Sequence, residues 1–233
     1  MISNMIKQRE IKDMNIAIDG PAGAGKSTIA KKTARELGFI YVDTGAMYRA
    51  IALYLIDNNI PPADEDAVEK SIEDISIAIK YEDGAQQVYL NEKNVTGSLR
   101  TEAVGNMASK SSALPCVRAK LLSLQRNLAK EYDVVMDGRD IGTNILPDAE
   151  LKIYLTASTD VRARRRYAEL IDKGERDMDL SKIERDIELR DRQDMEREIA
   201  PLRQAEDAVL VDSSEMTIDQ VTDTIIKLAK DRL

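Results

Sequence analysis

The chain of 233 residues contains no histidine, a single cysteine and few aromatic side chains, 4% in all. Without histidine, catalytic zinc and His-based triads are disfavoured, and any general base has to be a carboxylate. The lone Cys116 forbids an intramolecular disulfide and fits a reducing cytoplasm, the expected compartment. No run approaches the roughly 18 apolar residues of a membrane-spanning helix, so no membrane partner is expected. Residues 1–13 have neither the apolar centre nor the small-residue cleavage site of a secretory signal. They read as a flexible leader before Met14, a second possible start. The formal net charge of −8 and the scarcity of aromatics disfavour a nucleic acid polymer as partner. A concave basic pocket for a small phosphate ligand stays open. Hydrophobic content of 43% is enough for an ordinary core.

What is present is a glycine-rich loop in a telling setting. Asn15 to Asp19 read as a short apolar strand, and Gly20, Pro21, Ala22, Gly23, Ala24, Gly25, Lys26 and Ser27 fit G-x-x-x-x-G-K-[ST], with a helix opening at about Ser27 and continuing through Thr28. Glycines tolerate the dihedrals that turn successive backbone N–H groups toward phosphate oxygens, and the helix adds the positive end of its dipole. The motif assigns Lys26 to the β- and γ-phosphates and the Ser27 hydroxyl to Mg²⁺.

The helix after the loop is expected to run to Leu37 and stop at Gly38. Phe39 to Val42 reads as a buried strand ending at Asp43-Thr44-Gly45, which completes a βαβ unit and predicts a parallel sheet. A helix follows over Ala46 to Asn58. Ile60 to about Gly105 changes character: a Pro61-Pro62 break, a short acidic helix within 63–73, then alternating strands around an Asp83-Gly84 turn. This is a small antiparallel insertion, 61–105. Leu114 to Lys130 carries one apolar stripe behind Pro115. Further strands are expected at 134–136, 151–155 and 208–211, with helices after Ser158 and from Thr217. The fold class is α/β, a five-stranded parallel sheet flanked by helices.

Arginines crowd the last third of the chain, with acids interleaved. For any one of them, a solvated helix laced with ion pairs is the plain reading. Two details favour a site. Residues 172–180 form a polar, glycine-containing break suited to a lid. The helix beyond it, with a capping box at Ser181 and Glu184, lines up Ile183, Ile187, Arg190, Asp194 and Arg197 on one face. An apolar stripe that turns into Arg, Asp, Arg needs something polar to meet it.

Four segments carry a resemblance. The loop Ile16–Ser27, Asp43-Thr44-Gly45-Ala46-Met47-Tyr48-Arg49, Asp137-Gly138-Arg139-Asp140-Ile141-Gly142-Thr143 and Ala200-Pro201-Leu202-Arg203 together resemble the bacterial cytidylate kinases, adenylate-kinase-like nucleoside monophosphate kinases. The resemblance covers 14–233. It implies a P-loop NTPase core in which 61–105 binds the monophosphate and 172–180 is the lid, a monomer that transfers the ATP γ-phosphoryl group to CMP or dCMP with Mg²⁺. It further implies that Gly20 to Thr28 and Arg165 hold ATP, and that Lys26, Arg49, Arg139 and Arg166 act at the transferred group. Ser109, Arg118, Asp140 and Arg197 would surround the cytosine, and Arg190 and Asp194 the ribose. Thr44 and Tyr48 join the substrate set, although Tyr48 reads equally as core. Two alternatives stand: a kinase of this fold acting on another monophosphate such as UMP, and a non-catalytic nucleotide-binding switch.

Overall fold

The computed structural model describes residues 14–172, 174–176 and 178–232. The expected leader, and Lys173 and Asp177 of the expected lid, lie outside the described residues. In chain order the elements are β1 (Asn15–Asp19), α1 (Lys26–Leu37), β2 (Ile40–Asp43), α2 (Thr44–Asp57), α3 (Glu65–Ile72), β3 (Ile77–Glu82), β4 (Ala85–Leu90), β5 (Lys93–Asn94), α4 (Glu102–Ser111), α5 (Pro115–Glu131), β6 (Val134–Gly138), β7 (Leu151–Thr156), α6 (Thr159–Asp172), α7 (Leu180–Glu196), β8 (Val209–Asp212) and α8 (Ile218–Lys230). Five strands form one sheet in the order β2-β6-β1-β7-β8, the parallel sheet expected, and three form a separate sheet, β3-β4-β5.

The chain divides into two compact units. One comprises residues 15–39 and 135–233. In it β1 runs parallel to β7, with Ile16 opposite Leu151 and Asp19 opposite Tyr154, and β7 runs parallel to β8. Ile16, Ala17 and Ile18 are all fully buried, the continuous apolar run of a strand covered on both faces. Helix α1 ends at Gly38, whose left-handed backbone (φ 72°) returns its N–H to the carbonyls of Ala34 and Arg35. Helix α7 starts one residue before Ser181. Asp179 caps it by accepting from the Ser181 N–H, so the expected Ser181–Glu184 box is not the cap. A capping box does form at α8, between Thr217 and Gln220.

The other unit comprises residues 40–134, with Met14. The Asp83-Gly84 pair has φ 51° and 75° and joins β3 to β4 as the two-residue turn its sequence calls for. Helix α2 packs against α4 through Ala52, Val104 and Ala108, small residues that let the two axes approach.

Candidate functional site: the phosphate loop and two arginine clusters

The first unit holds the loop. Gly20 has φ 149°, and a Cβ there would lie 1.9 Å from the Leu155 carbonyl oxygen, so no side chain fits. Gly23 and Gly25, at φ 76° and 86°, turn the chain into α1. Helix α1 has no side chain capping its N-terminus, which leaves its leading N–H groups for an anion. Lys26 is buried and bends back so that Nζ donates to the Pro21 carbonyl at 2.7 Å. Burial, and then the neighbouring Arg139 guanidinium, push its ammonium down to about 7. Ser27 Oγ donates to Asp137 Oδ2 at 2.9 Å.

Beyond β6 the chain turns sharply. Buried Asp19, the last residue of β1, accepts from the N–H groups of Ile141 and Gly142 at 2.8 and 2.7 Å, fixing the π-helical turn Ile141–Ile145 that follows Arg139 and Asp140. Burial raises the Asp19 carboxyl to about 6 even though both N–H groups favour its anion. Arg139 Nε donates to Asp194 Oδ2 at 2.8 Å, and Arg197 donates to Asp140 Oδ1 at 3.3 Å. Burial opposes ionisation of Asp194, but the Arg139 guanidinium outweighs it and holds the carboxyl below its usual range. Asp194 and Arg197 of the predicted stripe therefore do meet polar partners.

The arginine run on α6 sorts itself. Arg164 is exposed and pairs with Asp160, and Arg166 pairs with Glu169 at 2.9 Å along its own helix. Arg165 donates to the Ser213 carbonyl and hydroxyl at 2.7 and 3.1 Å. Arg162, which the sequence did not single out, is the buried one, and it reaches the phosphate loop.

In the second unit, Asp43 caps α2 through the Ala46 N–H and also accepts from Arg49 and Arg100, at 3.2 and 3.4 Å. Arg118 is buried, donates to the Ser112 carbonyl and stands 5.7 Å from the Tyr48 ring centroid, so Tyr48 is packed against a cation. Thr44 is buried at the start of α2, and Ser109 is half-buried on α4. Besides Arg162, sequence reasoning missed Asp19, Arg100 and Asp191. Asp137 entered only as part of a family segment with no role of its own, although a carboxylate closing an apolar strand was the available signal.

A strand, a glycine loop, a buried lysine and a serine hydroxyl on a strand-end carboxylate define a P-loop nucleotide-binding protein. The cytidylate kinase family model matches residues 16–231. A cytidylate kinase from Lactobacillus johnsonii is 50% identical, over 92% of this chain and 93% of its own. One from Caldicellulosiruptor bescii is 49% identical over 94% and 96% of the two chains. The chain belongs to the cytidylate kinase family and is a nucleoside monophosphate kinase. An uncharacterized protein from Eubacterium ventriosum shares the fold, with a TM-score of 0.55, 14% identity, and 94% of this chain and 100% of its own covered.

Proposed function

We propose that the protein transfers the γ-phosphoryl group of ATP to CMP or dCMP, giving ADP and CDP or dCDP. The observation that carries the phosphoryl-transfer reading is the Lys26, Ser27 and Asp137 constellation at the head of α1. Two polyanions have to be neutralised while their reacting oxygens stay in line. Gly20 to Thr28 hold the ATP phosphates, with Lys26 on the β- and γ-groups. Arg165 and Arg166 serve the donor side, and 172–180 is the lid.

Mg²⁺ would supply neutralisation of the donor phosphates. The Ser27 hydroxyl and Asp137 carboxylate suit it, since this hard cation takes oxygen ligands and usually keeps only one or two from carboxylates.

Arg49 and Arg139 bind the acceptor phosphate, where a planar guanidinium suits bidentate contact. Arg49 Nε is buried without a hydrogen-bond partner, a donor that an anion would satisfy. Asp140 accepts from the cytosine amino group, with Ser109, Arg118 and Arg197 around the base, and Arg190 and Asp194 serve the ribose. A carboxylate opposite N4 accepts from cytosine and repels the O4 of uracil, so UMP should be a poor acceptor. The single cysteine suits a reducing cytoplasm, and the working form is a monomer acting on small nucleotides.

A coupled ADP-release assay over CMP, dCMP, UMP, AMP and GMP tests this. Acceleration by CMP and dCMP, abolished by chelation and restored by Mg²⁺, is expected. Flat rates with both cytidine nucleotides would remove the acceptor assignment.

A further inference from the structure

Helix α7 and the residue that caps its end use three positions of one face, at steps of three residues, to hold three parts of the loop-bearing unit. Asp191 Oδ1 accepts from the Ala22 N–H at 3.2 Å, Asp194 holds Arg139, and Arg197, just past the helix end, holds Asp140. The spacing of three residues corresponds to about 4.5 Å of helix rise per step. The phosphate loop and the residues assigned to the acceptor are thus mounted on one rigid element.

The Ala22 contact is doubled from α6. Arg162 donates through Nη1 to the Ala22 carbonyl at 2.9 Å and to Asp191 Oδ2 at 2.5 Å. Its remaining contacts are Nε to the Ala157 carbonyl and Nη2 to Thr159 Oγ1. Four acceptors so occupy one guanidinium, whose side chain is only 6% exposed. Both main-chain polar groups of Ala22 are held by a buried ion pair. The next residue, Gly23, lies so close that a Cβ would stand 3.3 Å from Arg162 Cβ.

A buried ion pair of this kind is weak evidence for stability, because apolar residues of similar volume often serve as well or better. Its contacts point to another reason for its presence. We propose that Arg162 and Asp191 are a positioning pair for the phosphate loop: they fix Ala22 from both sides and register the loop against Arg139 and Asp140 through α7. Neither residue touches the substrate in this role. The proposal rests on the reading of the loop as the ATP site.

The test separates positioning from mere structure. Kinetics and thermal unfolding would be measured for wild type, Asp191→Asn, Asp191→Glu and the double variant Arg162→Met/Asp191→Leu. Asp191→Asn should raise the KM for ATP about tenfold, the scale of one charge-assisted hydrogen bond, and leave the KM for CMP within about twofold. Asp191→Glu, which keeps the charge, should recover part of that loss. The double variant should melt close to wild type yet keep the raised KM for ATP, since Ala22 has lost its partners while the core is filled. If Asp191→Asn fails to fold, the double variant decides. A double variant with wild-type KM for ATP would overturn the proposal, and so would parallel rises in both KM values. A wild-type protein inactive toward CMP would instead sink the acceptor assignment, and ATP affinity by calorimetry would then read the pair on the same tenfold scale.

Discussion

Lys26 is a cation buried beside another cation, and the cost appears in its proton affinity, lowered to about 7 by burial and by Arg139. The negative charge of a bound polyphosphate outweighs both influences, so the bound lysine holds its proton more tightly than the free one. ATP binding at pH 8 should therefore take up close to one proton, and affinity should fall by up to about tenfold per pH unit above 7. Calorimetry in two buffers of different ionisation enthalpy measures the uptake, and Lys26→Met should abolish it. Binding at pH 8 without proton uptake would refute the assignment. Asp19 shows the opposite pattern. Its folded carboxyl titrates near 6, above the ordinary 3.8, because burial penalises the anion. The folded state thus binds the proton more tightly, and the stability this contributes is full below about pH 3.8 and lost as the pH rises through about 6. Relative to Asp19→Asn, wild type should lose on the order of 3 kcal/mol of unfolding free energy between pH 4 and 7, from about 1.4 kcal/mol per pKa unit. Denaturant melts across that range provide the measurement, and a pH-independent difference would contradict the burial argument.

Among the elements, helix ends divide by function. Helix α1 leaves its N-terminus uncapped, as an anion site requires, whereas α8 closes its own with Thr217 and Gln220. Thr217→Ala should accordingly cost about 1 kcal/mol of stability without changing the KM for either substrate. A melting temperature equal to wild type would show the box to be idle. Helix α7 illustrates how a correct periodicity can carry a wrong boundary. Two capping signals lie two residues apart, and Asp179 prevails over Ser181 because its charge also meets the helix dipole and the helix gains the turn begun by Leu180.

At the scale of the molecule, legibility followed sequence distance. The loop, its strand and helix, the Asp83-Gly84 hairpin and the apolar runs of the sheet are local signals, and each formed where the residues called for it. The stripe on α7 could be read as inward-facing, since periodicity reports which side is covered. Its partners could not. Ala22 and Asp191 are 169 positions apart, and Asp19 and Ile141 are 122 apart, so nothing in spacing joins them. In the same way, Arg165 and Arg166 on α6 were assigned to the nucleotide while Arg162, which folds inward, looked no different in composition from its neighbours.

The bare α-carbon of Gly20 has a further consequence for how the sheet assembles. It presses on the Leu155 carbonyl at the end of a pairing that sets Asp19 opposite Tyr154. Were β1 to slide along β7 by one position, Asp19 or Pro21 would arrive at that carbonyl carrying a side chain, and the strand's faces would be exchanged as well. Gly20 thus acts as an index mark: a neighbouring residue brought to that carbonyl would carry a side chain the contact cannot hold.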